Sequence, residues 1–240
     1  MMRYILLAAI IVSPGCKQKA PQYFQVDRAT AGIVRGKVRF AGKAPAARQI
    51  SMESEADCAA LHQTLVFDEA VKAGRDGGLA NVFIYLKTGL EGKIFEPPRT
   101  PVILDQHGCE FVPRVVALRA GQTLQVKNSD PVSHNIHPMP LNNRDWNQQL
   151  PPSSPDLKRR FAHPEVMIPV KCNIHGWMKT YIGVLNHPYF AVTDANGEFT
   201  LEPLPPGRYT IAAWHELFGE TVQQIEVSQG KPAEVKFTLQ

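Results

Sequence analysis

The chain has 240 residues, of which 44% are hydrophobic and 20% charged, and its formal net charge is +4. These proportions are ordinary for a folded protein and exclude a globally disordered chain. The small basic excess comes from scattered Lys and Arg side chains, which argues against nucleic-acid binding. The length allows one large domain or two small ones.

The first 16 residues have the form of an export signal. A single basic residue, Arg3, precedes an apolar run that is too short to span a bilayer. The run ends in Ser-Pro-Gly-Cys, which resembles a bacterial lipobox, although Ser13 stands where Leu is usual. We therefore expect residues 1–16 to be a lipoprotein signal peptide, Cys16 to carry a membrane anchor in the cell envelope or periplasm, and 17–30 to form a tether. An ordinary cleaved signal or a short anchor is the alternative.

Strand signals dominate the rest of the chain. Short apolar and β-branched stretches alternate with turn signals such as Asn196-Gly197 and Pro205-Pro206-Gly207. Strands are predicted over 32–40, 81–86, 101–104, 114–118, 123–127, 166–171, 180–185, 198–201, 208–213, 221–227 and 233–239, and a short helix around 58–65. Many short strands with regular turns predict an all-β fold made of β-sandwiches.

The C-terminal segment carries a recognisable pattern. It reads Thr193-Asp194-Ala195-Asn196-Gly197-Glu198-Phe199 and then Leu204-Pro205-Pro206-Gly207-Arg208-Tyr209. This resembles the carboxypeptidase-regulatory-like (transthyretin-like) β-sandwich, in which a Thr-Asp-x-x-Gly-x-Phe hairpin precedes Leu-Pro-Pro-Gly-x-Tyr. Asn-Gly permits the positive φ of a tight hairpin, and Pro-Pro-Gly separates two strands. A generic hairpin would explain the first half alone.

The opening strands of that module are missing from residues 187–240 and stand far upstream. A Gly-x-Val strand occurs at Gly36-Lys37-Val38, and an apolar second strand occurs at 82–86. We therefore predict one discontinuous carboxypeptidase-regulatory-like sandwich from residues 31–92 and 187–240, interrupted by a second domain at 97–186. The alternative is two domains in series, with 31–92 as an extension of the second.

The inserted segment carries a metal-ligand pattern. The run Cys172-Asn173-Ile174-His175-Gly176-Trp177-Met178 has Cys-x2-His-x2-Met spacing, and His134 or His137 can supply a second imidazole. These two histidines are an odd number of positions apart, so only one can face inward from a regular strand. Two His and one Cys with a weak axial Met form a blue-copper ligand set. Zinc prefers sites made of Cys and His alone, and the thioether of a methionine is a poor zinc ligand. Met178 therefore favours copper over zinc.

Residues 100–184 resemble the cupredoxins, most closely amicyanin and plastocyanin. The resemblance rests on Gly121-Gln122, Asn128, His134-Asn135-Ile136-His137 and the Cys172-x2-His175-x2-Met178 run. It implies a Greek-key β-sandwich that holds one type 1 copper ion through His134, Cys172, His175 and Met178. It also implies that Asn135 hydrogen-bonds toward the cysteine loop and that His175 is the exposed exit for electrons.

Two further cysteines remain once Cys16 is assigned to a lipid and Cys172 to copper. Leftover cysteines in an oxidising compartment most often pair, so a Cys58–Cys109 disulfide is predicted. A second metal site made of these cysteines with His62 and His107 is the alternative, although neither half has a compact metal-binding spacing.

Together these patterns predict an exported, lipid-anchored mononuclear copper protein that carries single electrons between redox protein partners. We expect a carrier rather than an enzyme, because the sequence shows no nucleophile motif, catalytic carboxylate pair or further His-rich copper motif. Two alternatives are a periplasmic copper-binding or copper-storage protein and a β-sandwich adhesion or binding protein with a vestigial site.

Overall fold

The computed structural model describes residues 21–42, 44–74 and 76–240. The predicted signal peptide, Cys16 and the start of the tether lie outside the described residues. Strands dominate this part of the chain, which confirms the all-β prediction, and its single α-helix, α1 (Ala56–Ala59), is shorter than predicted. Within the same part of the chain, helices long and apolar enough to cross a bilayer are absent.

The strands follow one another with few long gaps. In chain order they are β1 (Val34–Phe40), β2 (Phe83–Thr88), β3 (Val102–His107), β4 (Glu110–Val112), β5 (Val115–Arg119), β6 (Leu124–Asn128), β7 (His134–Pro138), β8 (Gln148–Leu150), β9 (Leu157–Arg159), β10 (Glu165–Lys171), β11 (Lys179–Leu185), β12 (Phe190–Val192), β13 (Glu198–Thr200), β14 (Gly207–His215), β15 (Gly219–Val227) and β16 (Ala233–Leu239). They form four sheets, which pack as two β-sandwiches.

The first sandwich joins strands from distant parts of the chain. β1 runs parallel to β16 on one side and antiparallel to β13 on the other. The facing sheet has the order β12-β2-β14-β15. Its buried core includes Val38, Ile84, Tyr189, Ile211 and Phe237. β1 and β2 therefore share their sheets with strands of the C-terminal segment, which is the pairing that a discontinuous sandwich requires.

Gly36, the glycine of the Gly-x-Val sequence in β1, lies where β1 is packed closely against Val235 and Phe199. A Cβ at this position would lie 2.0 Å from the backbone oxygen of Val235 and within 2.7 Å of the Phe199 ring. Only glycine lets the two backbones approach this closely.

The second sandwich is made of two sheets with the orders β5-β11-β10-β7-β8 and β4-β3-β6-β9. Its core includes Leu104, Leu118, Val126, Ile136 and Ile182. The chain between β1 and β2 also contributes, because Met52 and Cys58 are buried in this second core. The predicted boundary of 31–92 therefore contains an excursion that packs on the second sandwich.

The two sandwiches contact each other through an apolar face and a partly buried ion cluster. Phe83 and Ala212 of the first sandwich pack in one cluster with Met167 of the second. Arg114 lies beside this face and donates to Glu216 from Nε at 2.7 Å and from Nη2 at 2.8 Å. Its Nη1 lies 3.0 Å from an oxygen of Asp68. These contacts hold the second sandwich against the first.

Candidate metal centre

The loop between β10 and β11 presents three of the predicted ligands inward. The backbone N–H of Cys172 donates to the carbonyl of Met178 at 3.2 Å, and that of Met178 donates to the carbonyl of His175 at 3.0 Å. These hydrogen bonds close the loop tightly. Cys172 and Met178 are each only 1% exposed, and His175 is 3% exposed. The antiparallel pairing of β10 with β11 holds both ends of the loop.

The fourth predicted ligand, His134, opens β7, which pairs with β10. Its Nδ1 lies 2.9 Å from Nδ1 of His175, and Sγ of Cys172 lies 3.9 Å from the same His175 nitrogen. The candidate ligand atoms of these three residues all lie within 4.8 Å of one another. Met178 belongs to the same buried cluster as Cys172. The structure thus gathers the predicted cysteine and both predicted histidines around one point.

His137, the alternative to His134, lies outside this pocket. It is half-buried, with Nδ1 3.4 Å from Oδ1 of Asn173 and Nε2 3.2 Å from Oδ1 of Asp145. The alternation of side chains along a strand explains the difference, since the two histidines are separated by an odd number of positions on β7.

Asn135 ties the cysteine loop to β7. Its Oδ1 accepts a hydrogen bond from the backbone N–H of Asn173 at 2.6 Å and lies 3.2 Å from Sγ of Cys172. Its Nδ2 donates to Oδ1 of Asn147 at 2.6 Å. The side chain therefore orients the sulfur of Cys172 and anchors a neighbouring loop, which matches the role implied by the resemblance.

Asp130 supports the candidate centre and was not predicted from the sequence. Its carboxylate accepts a hydrogen bond from Nε2 of His134 at 2.8 Å and from the backbone N–H groups of Gly108 and Cys109 at 2.6 and 2.8 Å. A carboxylate on one imidazole nitrogen holds the proton there and leaves the other nitrogen free to bind a metal. Nδ1 of His134 is therefore directed at the pocket as a lone-pair donor.

The surroundings of the pocket favour a thiolate. Burial raises the pKa of the Cys172 thiol, but the neighbouring His134 imidazole and the backbone groups around the sulfur outweigh it and bring the pKa below its usual range. Burial lowers the pKa of His134, whereas the Asp130 carboxylate raises it above its usual value and prevails. The pKa of His175 is lowered by burial and by the neighbouring His134. The pocket thus brings one soft sulfur together with two imidazoles.

The prediction that His175 is an exposed exit for electrons is wrong. The residue is only 3% exposed. Its Nε2 lies 3.6 Å from Sγ of Cys58, and its ring centroid lies 5.2 Å from that of Trp177. The physical reason is the excursion between β1 and β2, which places α1 and Cys58 over the side of the imidazole that the resemblance leaves open to solvent.

Cys58 and Cys109 form a disulfide with their Cα atoms 5.7 Å apart, as the sequence predicts. Neither is therefore free to bind a metal as a thiolate. Nε2 of His62 lies 2.8 Å from the carbonyl oxygen of Gly108, and His107 is exposed. The alternative second metal site is thus not formed. Among the residues that the structure describes, Cys172 is the free cysteine.

The C-terminal part of the chain matches a known family. Residues 183–240 match the model of the carboxypeptidase regulatory-like domain. No curated protein matches the chain.

Solved structures similar to the chain include copper proteins. A copper-containing nitrite reductase from Thermus scotoductus is 22% identical with a TM-score of 0.34, and the match covers 42% of this chain but only 25% of the reductase. A purple cupredoxin from Nitrosopumilus maritimus is 18% identical with a TM-score of 0.30, over 35% of this chain and 98% of the cupredoxin. An oxidised amicyanin variant is 13% identical with a TM-score of 0.32, over 42% of this chain and 97% of the amicyanin.

Proposed function

We propose that this protein is an exported mononuclear copper protein that carries single electrons between redox partners. The observation that carries the proposal is the buried meeting of Sγ of Cys172 with Nδ1 of His134 and of His175, on a loop that also buries Met178. Two imidazoles, a thiolate and a thioether fit copper better than zinc. Copper held there would supply a one-electron couple between Cu(II) and Cu(I).

The residues around the ligands would keep the pocket rigid and dry. β10 and β11 hold the loop on both sides, Asn135 fixes the sulfur of Cys172, and Asp130 fixes the ring of His134. A site whose ligands move little between two charge states suits electron transfer. The burial of all four candidate ligands also keeps a substrate away from them, which supports a carrier rather than an enzyme.

Export and anchoring are part of the proposal. The signal-like residues 1–16 and the lipobox-like Cys16 support a lipoprotein of the cell envelope or periplasm. The Cys58–Cys109 disulfide supports an oxidising compartment. The redox partners would then be proteins that reach the same side of the membrane.

Copper storage without electron transfer is a second candidate. The observation that favours it is the burial of His175, which removes the expected exit for electrons. A carrier would be intensely blue when oxidised and would cycle reversibly, whereas a store would hold colourless Cu(I). Reduction and reoxidation of the loaded protein, followed by visible absorption, distinguishes the two.

The test is copper loading of the purified chain, read by metal analysis, visible absorption and electron paramagnetic resonance. We expect one copper per chain and a blue thiolate band that is lost in His134→Ala. His137→Ala is the matched control, and it should keep both the metal and the colour. Copper lost from His137→Ala but retained in His134→Ala would overturn the assignment.

A further inference from the structure

The excursion between β1 and β2 has the shape of a lid over the metal centre. We define the lid as residues 50–66. Its two ends are paired with each other, since the N–H of Ile50 donates to the carbonyl of Val66 at 2.9 Å. Just outside it, the N–H of Asp68 donates to the carbonyl of Arg48 at 2.8 Å. A loop with a closed base and its own packed side chains can move as one unit.

The lid reaches the metal pocket through a few side chains. Met52 and Cys58 are 6% and 1% exposed and pack in the same cluster as Cys172 and Met178. Sγ of Cys58 lies 3.6 Å from Nε2 of His175. The lid therefore covers His175 directly, and His175 in turn separates the lid from the sulfur of Cys172.

The disulfide is the covalent fastening between the lid and the second sandwich. Cys109 lies between β3 and β4, where its N–H donates to Asp130 and its carbonyl accepts a hydrogen bond from Nε1 of Trp177 at 2.9 Å. Asp130 holds His134, and Trp177 packs on His175. One end of the disulfide thus lies beside the groups that support both histidines.

We propose that residues 50–66 are a lid and that the Cys58–Cys109 disulfide is its latch, which keeps the metal in and solvent out. With the latch open, the lid swings about its paired base and uncovers His175, so that metal can enter and Cys172 can be reached. The part that concerns copper rests on the function proposed above. Metal entry therefore precedes latching during maturation.

Closing the latch is a two-electron step. The thiols of Cys58 and Cys109 lose their two S–H bonds and form one S–S bond. Two electrons and two protons pass to a disulfide-bearing oxidant, which is left as a dithiol. Both sulfur atoms are buried once the bond has formed, which protects the closed latch from later reduction.

The first test needs no metal. The full chain carrying Cys16→Ser is compared with the same chain carrying Cys58→Ser and Cys109→Ser in addition, and N-ethylmaleimide labelling of Cys172 is followed by mass spectrometry. We expect labelling at least about tenfold faster without the latch, because local opening exposes the thiol. Equal labelling rates would overturn the lid.

Leu124→Ala is the matched control for a general loss of stability. This residue is buried on β6 of the same sandwich and lies outside the lid. If Leu124→Ala loses as much unfolding free energy as the unlatched variant does, it should still protect Cys172 from labelling. Labelling as fast as in the unlatched protein would show that the disulfide acts only on global stability, which would contradict the proposal.

Hydrogen exchange on wild-type protein in which the disulfide has been reduced gives a second measurement if the unlatched variant does not fold. Faster exchange confined to residues 50–66 is expected. Exchange that rises evenly across 97–186 would contradict a lid.

The copper-loaded proteins separate the two proposals. The unlatched protein should release Cu(I) to a chelator faster than the latched protein, while its oxidised Cu(II) form keeps the same blue band. If the chain binds no copper but Cys172 is exposed by unlatching, the proposed function fails and the lid stands. If copper binds and both proteins label at the same rate, the lid alone fails.

Discussion

At the scale of single residues, the candidate centre depends on groups that bind no metal. The Asp130 carboxylate accepts a hydrogen bond from Nε2–H of His134, and Oδ1 of Asn135 accepts one from the backbone N–H of Asn173 in the cysteine loop. Partners of this kind orient a metal ligand and raise its basicity. They therefore decide how firmly the pocket is held in the geometry that the ligands need.

Asp130→Asn tests this role. The amide keeps the shape of the side chain but removes its charge, so His134 becomes a poorer donor. We expect the copper affinity to fall by about 10- to 100-fold, and the reduction potential to rise because Cu(II) loses more stabilisation than Cu(I). Competition with a chelator and a redox titration measure the two effects. Asp145→Asn, at an exposed carboxylate beside His137, is the control, and an equal effect there would contradict the role.

His187 predicts how stability depends on pH. It is buried, with Nε2 3.0 Å from the carbonyl of Leu86 and Nδ1 accepting from the N–H of Tyr189 at 3.2 Å. Burial lowers its pKa to about 4. Between that value and the unfolded value near 6.5, the unfolded chain binds a proton that the folded chain does not.

The free energy of unfolding should therefore fall as the pH is lowered through this window, by up to about 3 kcal/mol from His187. Urea denaturation at pH 7 and pH 4.5 measures the loss, and His187→Gln should reduce it. His163→Gln, at an exposed histidine, is the control variant, and a reduction of the loss as large as in His187→Gln would contradict the role of His187. A wild-type stability that is flat across the window would contradict a buried neutral imidazole.

The sequence predicted which candidate ligands would come together better than it predicted their surroundings. Cys172, His175 and Met178 stand at a fixed local spacing that a short loop must preserve. Asp130 was missed because its role depends on the fold of the loop before β7, although its place four residues before a candidate ligand was a usable signal. The cover over His175 was also missed, because it comes from a segment far away in the chain.

At the scale of elements, most of the longer strands could be predicted and most of the three-residue strands could not. β1, β2, β10, β11 and the C-terminal strands have apolar patterns of their own. Four three-residue strands, β4, β8, β9 and β12, are too short for an apolar pattern, whereas the equally short β13 was predicted because it belongs to the hairpin motif. β7 was not predicted because its sequence, His-Asn-Ile-His-Pro, does not alternate between polar and apolar residues. Pairing with neighbours sets such strands more than intrinsic preference does.

Gly36→Ala tests the placement of β1. The added methyl group would meet the backbone oxygen of Val235, so β1 must shift away from β16. We expect a loss of at least about 1–3 kcal/mol in unfolding free energy, measured by urea denaturation. Gly176→Ala is the control, since nothing lies within 4 Å of its added Cβ. Equal stability of the two variants would mean that β1 does not pack against β16.

At the scale of the whole molecule, the contact between the two sandwiches combines an apolar face with Arg114 and its two carboxylates. Arg114→Met leaves Glu216, whose side chain is only 7% exposed, without its partner. A buried charge that loses its partner costs about 3–5 kcal/mol, which thermal or urea unfolding would measure.

An exposed ion pair provides the comparison. Arg35 and Glu234 are 57% and 56% exposed, so Arg35→Met should cost no more than about 1 kcal/mol. The double change Arg114→Met with Glu216→Leu should recover stability relative to Arg114→Met alone. Failure to recover would mean that Arg114 acts through packing rather than through its charge.

The arrangement of the two sandwiches could be predicted only in outline. The Gly-x-Val strand and the C-terminal motifs, Thr-Asp-x-x-Gly-x-Phe and Leu-Pro-Pro-Gly-x-Tyr, indicated a discontinuous module, because they belong to the pattern of one domain family. The excursion over the candidate metal centre has no such pattern, and its position depends on long-range packing of Met52 and on the disulfide. The pairing of Cys58 with Cys109 could be predicted because the other cysteines had other assignments. The position of this disulfide beside His175 could not be predicted in that way.

Copper-edge X-ray absorption on the loaded protein tests the central claim, that Cys172 and two histidines bind one copper ion. We expect one short copper–sulfur bond and two copper–nitrogen bonds in the wild-type protein, with the short sulfur bond absent from Cys172→Ser. A wild-type spectrum with only nitrogen and oxygen neighbours, identical to that of Cys172→Ser, would contradict it.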